Sequence, residues 1–391
     1  MKNKWLTPLP LYLLAFFMSM DFSSLWAHEP LPRASPRIVG GQKTSAEAWP
    51  WLATLVTRNT LSSEEVSLLE GQFCAGTLIH PRWVLTAAHC VFDSYYTTVL
   101  SNDQVDVVFG INNLRTDQGE RIHVKRIVIH PQYNNLQTDF SDIALLELET
   151  SVDRPIITFN TNPSLPLEGT IATVIGWGDT STVSQRPLYL DELQQVSVPI
   201  VSKESCQTSL QQENISEIVS PPTVDRIICA GETGKDSCYG DSGGPLVIAE
   251  GQEWKQVGIV SGGTSQQCAK PNSYGIYTEV SKFSEFIGNI LCQETDIEDI
   301  FTRFSFLAPH LTLTVEGNWV TVSWDTIPKA TGYEILYAPY PEGTPVGNLN
   351  VGQVNNYSIQ LGSGQNYYVA LRAYQGICYG DFSNIDFFTI P

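Results

Sequence analysis

The chain has 391 residues, of which 42% are hydrophobic and 10% aromatic, and this composition excludes an intrinsically disordered protein. Because a chain of this length is too long for a single core, we expect two or three domains. The net charge of −19 argues against nucleic-acid binding, which needs a basic surface, and disfavours anionic membrane surfaces. The excess of acid suits a soluble exported protein, and it would also attract cationic substrates.

The N-terminus has the pattern of an export signal. Lys2 and Lys4 precede an apolar run from Leu9 to Met20, which is too short to span a membrane unaided. We predict a signal peptide over residues 1–27, with cleavage near Ala27. We therefore expect a secreted, extracellular protein without stable membrane insertion, whose eight cysteines are oxidised.

From Trp49 to Leu291, short apolar runs rich in β-branched residues alternate with Gly, Pro, Asn and Asp. This pattern predicts an all-β barrel or sandwich. The predicted strands are Trp51–Val56, Thr77–Ile79, Val105–Phe109, Ile143–Leu148, Ile171–Gly176, Val196–Ile200, Leu246–Ile248 and Gln256–Val260. The only good helical pattern is Val280–Leu291, where apolar residues recur at every third or fourth position.

A second composition begins near Pro309. Three segments alternate between apolar and polar residues and are predicted strands: Val320–Trp324, Tyr333–Tyr337 and Tyr367–Ala373. They predict a β-sandwich domain over residues 309–391, joined by a linker at 294–308.

The stretch from Asp236 to Pro245 carries the strongest chemical signal. A serine hydroxyl is a weak nucleophile without a base, and glycines around Ser242 let the backbone turn tightly and approach a substrate. The amides of Gly240 and Ser242 could then point at one spot and stabilise an oxyanion. The alternative is a Gly-rich surface turn, which the ten-residue extent of the pattern disfavours.

This stretch resembles the motif of the trypsin-like, chymotrypsin-fold serine peptidases, and the resemblance covers roughly Ile38 to Leu291. Leu85-Thr-Ala-Ala-His-Cys90 and Asp142-Ile-Ala-Leu-Leu match two further motifs of that family. The resemblance implies that His89 is the general base and Asp142, rather than Asp139, orients it. Ser242 is the implied nucleophile, and the order His-Asp-Ser is that of chymotrypsin.

The resemblance also implies a primary specificity pocket. Asp236 matches the carboxylate at its floor, Gly263 and Gly275 match two glycines that keep it wide, and Ser261 matches a serine that supports the catalytic aspartate. A buried carboxylate would select Arg or Lys by a charge-assisted bond; the alternative is a surface aspartate in a turn. Gly262 stands where the family usually has Trp, so we expect the loss of that wall to loosen selectivity at the neighbouring subsites.

Residues 28–37 are a Pro-rich linker by composition, and the resemblance implies that they are an activation propeptide. Cleavage between Arg37 and Ile38, by a trypsin-like protease or by the enzyme itself, would free an ammonium that pairs with Asp241. A buried carboxylate is costly without a partner. We therefore expect a zymogen whose site becomes ordered after this cleavage.

Eight cysteines allow 105 pairings, so spacing alone cannot choose among them. The resemblance implies the pairs Cys74–Cys90, Cys206–Cys229 and Cys238–Cys268. Cys292 and Cys378 remain, either joined to each other or as two free thiols. We expect no metal and no cofactor. No close pair of Cys/His pairs appears apart from His89-Cys90, and Ile111 and Gln118 stand where the resemblance would place the carboxylates of the family's calcium loop.

For the architecture, the resemblance implies two six-stranded antiparallel β-barrels with a C-terminal helix, in a peptidase domain over residues 38–293. The following domain resembles a fibronectin type III module at Trp324, at Gly332-Tyr333 and at Leu361–Tyr367. Another immunoglobulin-like sandwich is the alternative. The sequence leaves the role of this C-terminal domain open: it could be a spacer, bind a substrate or a surface, or serve in export.

The predicted function is a secreted, monomeric serine endopeptidase that cleaves protein and peptide substrates after Arg or Lys through an acyl-enzyme. A non-catalytic binding protein is one alternative, but such proteins usually lose a member of the triad, and none is lost here. A serine esterase is another, disfavoured by the Ile38–Gly41 junction and by Asp236.

Overall fold

Antiparallel β-strands make up most of the fold, in agreement with the predicted all-β class. The computed structural model describes residues 38–58, 67–93, 97–133, 141–178, 191–212, 223–265, 267–292 and 308–391, all within one unit, Pro36–Pro391. The predicted signal peptide, Arg37, Asp139 and most of the predicted linker lie outside these residues.

The strands before the C-terminal module are β1 (Gln42–Lys43), β2 (Leu52–Thr57), β3 (Gln72–His80), β4 (Trp83–Thr86), β5 (Phe92–Asp93), β6 (Thr98–Val99), β7 (Val105–Phe109), β8 (Glu120–Ile129), β9 (Ala144–Leu148), β10 (Thr158–Phe159), β11 (Ile171–Gly176), β12 (Gln194–Pro199), β13 (Ile227–Ala230), β14 (Pro245–Glu250), β15 (Glu253–Gly263) and β16 (Gly275–Glu279).

Six strands close a barrel in the order β2-β3-β4-β9-β8-β7. Its strands β4, β7 and β9 are buried along their whole length. Trp83, Leu85, Phe109 and Leu145 are completely buried in its core. This barrel confirms one of the two that the sequence predicts.

The second set of strands forms an eight-stranded sheet in the order β1-β12-β11-β14-β15-β16-β13, with β10 beside β15. An antiparallel bridge between Ile200 and Ala230 brings the end of β12 back to β13. Val174, Leu246 and Tyr277 lie in the buried cluster of this sheet. A closed second barrel stays a prediction.

Three α-helices are present in the described ranges: α1 (Leu68–Gly71), α2 (Lys203–Gln212) and α3 (Ser284–Leu291). The predicted C-terminal helix is confirmed, although it begins as a 3-10 turn at Val280–Phe283. The expectation of a single helix is wrong, because α2 is a mostly polar segment in which only Cys206, Ser209 and Leu210 are buried. None of the helices in these ranges is long and apolar enough to cross a membrane.

The C-terminal module contains two antiparallel sheets, and its three predicted strands are confirmed. Its strands are β17 (Leu311–Glu316), β18 (Trp319–Trp324), β19 (Gly332–Pro339), β20 (Gly347–Gly352), β21 (Asn356–Gln360), β22 (Asn366–Gln375), β23 (Cys378–Phe382) and β24 (Asp386–Thr389). The sheets have the orders β17-β18-β21 and β20-β19-β22-β23, with β24 beside β22. Trp324, Tyr333 and Leu371 belong to a buried cluster that draws on both sheets.

Helix α3 packs against strand β23 of the C-terminal module. The disulfide Cys292–Cys378 joins the end of the helix to this strand. A Cβ added to Gly288 would overlap the carbonyl oxygen of Ile377, so glycine permits the close approach. Arg372 then bridges the two parts, because its guanidinium bonds to Glu285 at 3.1 Å as well as to Glu334 of the module.

Candidate active site

His89 and Asp142 form a hydrogen-bonded pair. His89 lies in a 3-10 turn, Ala88–Cys90, directly after strand β4, and the Cys74–Cys90 disulfide ties this turn to β3. Asp142 precedes strand β9, which pairs with β4, so the barrel brings the two residues together. The Nδ1 atom of His89 lies 2.7 Å from Oδ2 of Asp142, and the backbone amide of His89 donates to Oδ1 at 2.8 Å.

Asp142 is itself held in place by the second sheet. The hydroxyl of Ser261 donates to its Oδ2 at 2.5 Å, and Thr278 donates to its backbone carbonyl at 2.8 Å. Burial alone would raise the pKa of Asp142, but the charge of His89 and the hydrogen bonds that His89 and Ser261 donate to the carboxylate outweigh burial and lower it. Asp142 is therefore a buried carboxylate that stays ionised.

The pKa of His89 is shifted in the opposite direction. Burial alone would lower this pKa, but the charge of Asp142 and its hydrogen bond outweigh that effect and raise it above the ordinary value. With Nδ1 directed at a carboxylate, Nε2 is the ring atom left to exchange a proton with a substrate or nucleophile. The pair has the arrangement of an oriented general base.

Ser242 lies on a tight loop that contacts the His89 turn. The backbone amide of Ala75 in β3 donates to the carbonyl oxygen of Ser242 at 2.8 Å. Gly243 has a φ of +75°, and a Cβ there would overlap Thr86 Oγ1 and lie 3.1 Å from Cys90 Sγ. Glycine therefore allows the loop to pack directly onto the turn that carries His89.

Ser242 also lines a cavity of about 630 Å³ together with Asp236, Ser261 and Gly263. Asp236 is 4% exposed. Its Oδ2 accepts a hydrogen bond from the amide of Ala269 at 3.1 Å, whereas its buried Oδ1 has no hydrogen-bond partner among the described residues. Burial raises the pKa of Asp236 to about 7, although neighbouring backbone amides, that of Ala269 foremost, oppose the shift. The cavity thus has a buried acceptor that is not satisfied.

Glycines determine how much room this cavity has. A Cβ at Gly275 would lie 2.8 Å from Asp236 Oδ1 and 2.7 Å from the Tyr277 hydroxyl, which leaves no space for a side chain at the floor. A Cβ at Gly263 would lie 3.2 Å from the carbonyl oxygen of Ser265, whereas one at Gly262 would meet nothing within 4 Å. The side of the cavity at Gly262 is therefore open.

The predicted activation residues Ile38 and Asp241 are both completely buried. The Asp241 carboxylate accepts hydrogen bonds from the amides of Gly178 at 2.8 Å and Cys238 at 3.0 Å. The carbonyl oxygen of Val39 accepts from the amide of Asp236 at 3.3 Å, so the segment after the predicted cleavage point packs beside the cavity.

All eight cysteines are paired, and the three pairs that the resemblance implies are present: Cys74–Cys90, Cys206–Cys229 and Cys238–Cys268. Cys292 and Cys378 form the fourth bond, so they are not free thiols. Ligand atoms of Cys74, His89 and Cys90 lie within 4.8 Å of one another, as in a metal site. Both sulfurs are in a disulfide, which leaves no thiolate to bind a metal.

Several residues near the site were not predicted from the sequence. The hydroxyls of Ser237 and Tyr277 lie 2.9 Å apart beside Asp236, and Thr278 supports Asp142. Gln72 donates from its side chain to the carbonyl oxygen of Gly240 at 3.1 Å. Ser237 neighbours Asp236 in the motif and could have been proposed, but Gln72 is 168 residues from Gly240 and no local pattern marks it.

The comparisons with known proteins agree with this geometry. The trypsin family model matches residues 38–287. The chain is 34% identical to serine protease 28 of Mus musculus over 260 residues, which cover 64% of this chain and 89% of that protein. It is 36% identical to a tryptase of Mus musculus over 256 residues, which cover 64% of this chain and 87% of that protein. The chain therefore belongs to the trypsin family and is a trypsin-like serine endopeptidase.

Proposed function

We propose that this endopeptidase cleaves peptide bonds on the carboxyl side of Arg or Lys. The observation that carries the proposal is Asp236, whose buried Oδ1 lacks a hydrogen-bond partner among the described residues and lines the same cavity as Ser242. A guanidinium or ammonium would satisfy this oxygen, and a neutral side chain would leave a buried polar atom unpaired. The cost of that unpaired atom would provide the selectivity.

Catalysis proceeds through an acyl-enzyme. The Ser242 hydroxyl attacks the scissile carbonyl carbon while His89 Nε2 takes its proton, and the new oxyanion accepts hydrogen bonds from the amides of Gly240 and Ser242. His89 then gives the proton to the leaving amine as the C–N bond breaks. A water then attacks the ester carbonyl carbon while His89 takes its proton. His89 returns this proton to Ser242 Oγ as the ester C–O bond breaks and the carboxyl product leaves. Asp142 holds the imidazole and stabilises its charged form without taking the proton.

The protein is made as a secreted zymogen that is activated by cleavage between Arg37 and Ile38. The burial of Ile38 and Asp241 supports this step, because a new ammonium at buried Ile38 would need a buried counter-charge, which the carboxylate of Asp241 would supply. Charge pairing would compensate the desolvation of both groups. The export signal at residues 1–27 and the four disulfides suit an extracellular protein.

The C-terminal module is a fibronectin type III or related immunoglobulin-like sandwich. The two antiparallel sheets around Trp324 and Tyr333, whose ring centroids lie 5.4 Å apart, support this assignment.

The test is cleavage of matched Arg, Lys, Phe and Ala peptide amides before and after limited trypsin treatment. The proposal predicts activity that appears after treatment, favours Arg and Lys, and is lost in Ser242→Ala. A preference for Phe would refute the role of Asp236, and full activity with Arg37 still joined to Ile38 would refute the zymogen. If folded, cleaved protein hydrolyses none of these amides, the result would favour a non-catalytic binding protein.

A further inference from the structure

Strand β3 holds the carbonyl groups of both residues whose amides we assign to oxyanion binding. The amide of Ala75 donates to the carbonyl oxygen of Ser242 at 2.8 Å. The side chain of Gln72 donates to the carbonyl oxygen of Gly240 at 3.1 Å. The first contact is made by the backbone, so its donor is independent of residue type. The second depends on the side chain at position 72.

The side-chain amide of Gln72 also has a hydrogen-bond acceptor within its own strand. Its Nε2 atom also lies 3.4 Å from the carbonyl oxygen of Cys74 in the same strand. A side-chain amide nitrogen carries two hydrogens, so it can serve both acceptors. Cys74 is in turn fixed by its disulfide to Cys90, next to His89. The side chain of Gln72 therefore links the nucleophile loop to a rigid part of the barrel.

The backbone of Gly240 is free to rotate unless such a contact holds it. Its φ is +97°, in a region that L side chains rarely adopt, and a glycine backbone rotates readily because it has no Cβ. The amide and carbonyl of Gly240 share one Cα, so a carbonyl that turns away allows the amide to turn as well. An oxyanion donor must lie within about 2.7–3.1 Å of the developing charge.

We infer that Gln72 is a positioning residue for oxyanion stabilisation, acting through the carbonyl oxygen of Gly240 without touching the substrate. This inference rests on the proposed acyl-enzyme mechanism. Loss of the contact should affect the transition state, where the oxyanion exists, and not the binding of a cationic side chain near Asp236.

The test compares Gln72→Ala and Gln72→Glu with the exposed control Gln42→Ala on β1. Three quantities are measured: kcat and KM on an Arg peptide amide, the affinity for a peptidyl-arginine aldehyde, and the affinity for benzamidine. The aldehyde forms a hemiacetal whose oxygen needs the oxyanion donors, whereas benzamidine occupies only the cationic pocket. Glutamate keeps the shape of glutamine but offers an acceptor in place of the donor.

For Gln72→Ala we expect kcat and aldehyde affinity to fall together by about three- to tenfold, the worth of one ordinary hydrogen bond. Gln72→Glu should lose more, because its carboxylate would face another acceptor. KM, benzamidine affinity and the Gln42→Ala control should stay within about twofold of the wild type.

If the enzyme is active and both Gln72 variants keep the wild-type kcat and aldehyde affinity, this inference is wrong but the proposed function still holds. An equal loss of benzamidine affinity would also overturn it, because that result indicates general damage to the site. A cleaved, folded wild type that does not hydrolyse the Arg amide would instead refute the proposed function, and this inference with it.

Discussion

Asp142 contacts His89 at two separate atoms, the ring Nδ1 at 2.7 Å and the backbone amide at 2.8 Å. The two bonds fix both the position of the turn and the rotation of the imidazole. Because the carboxylate needs a donor at Nδ1, the neutral ring carries its proton there and leaves Nε2 free to act as a base. One buried carboxylate thus sets the tautomer that the proposed mechanism requires.

Replacing Asp142 with Asn should lower kcat by about 10⁴-fold, the size established for other Ser-His-Asp triads. The amide would favour the wrong tautomer of His89 and would remove the charge that raises its pKa. The measurement is kcat on an Arg amide with benzamidine affinity as the control. A loss of less than about tenfold would contradict the assigned role.

Benzamidine should bind more weakly as the pH falls below about 7. Burial raises the pKa of Asp236 to about 7, so at lower pH an amidinium must displace a proton from the carboxyl group. We expect the Kd to rise by about tenfold per pH unit well below this value. Calorimetric titration of the Ser242→Ala variant isolates binding from catalysis. A Kd that is constant from about pH 5 to about pH 8 would contradict the prediction.

The same carboxyl group should make the fold less stable as the pH rises. An unperturbed aspartate, as in the unfolded chain, has a pKa of 3.8, whereas the pKa of Asp236 in the folded protein is about 7. Folding therefore favours the protonated form of Asp236. The resulting loss of stability begins above the ordinary pKa and is complete above about pH 7. Asp236→Asn removes this cost and should raise the free energy of unfolding at about pH 8 by about 2–4 kcal/mol, but not at about pH 4.

Denaturant unfolding in the Ser242→Ala background measures this difference without autolysis. Asp103→Asn is the control, because Asp103 is an exposed acid outside the cavity. If Asp236→Asn has the same effect at both pH values, or if it destabilises the protein at the higher one, the raised pKa is not linked to folding.

Arg372→Ala should destabilise the protein by about 3–5 kcal/mol, because it leaves the buried carboxylate of Glu334 without its cation. The guanidinium also stacks 3.9 Å from the ring centroid of Tyr379. Lys43→Ala is the comparison, since it breaks an exposed ion pair with Glu192 that is worth less than about 1 kcal/mol. Equal small losses in the two variants would show that the Arg372 pairs contribute little.

The residues of the candidate site could be predicted because each lies in a short local motif. His89, Asp142 and Ser242 were identified from the residues beside them, and Asp236 from its spacing to Ser242. Strands β7 and β9 are buried along their whole length, so their sequences are mostly apolar runs that predict strands.

Features that no motif of the sequence marks were not predicted. Helix α2 buries only Cys206, Ser209 and Leu210, so its sequence has too few apolar positions to indicate a helix. The Gln72–Gly240 contact joins residues 168 apart, and the Arg372–Glu285 contact joins residues 87 apart. Such pairs are set by how the sheets pack, and no local spacing encodes them.

The most direct test of the central claim is to trap the acyl-enzyme at Ser242. The cleaved enzyme is mixed with an active-site titrant that leaves a guanidinobenzoyl ester, and peptide mass mapping locates the adduct. We predict one acyl group per active enzyme, attached to the Ser242 peptide, absent in Ser242→Ala and formed more slowly in the presence of excess benzamidine. An adduct on another residue, or no adduct on folded enzyme that cleaves Arg amides, would contradict the account.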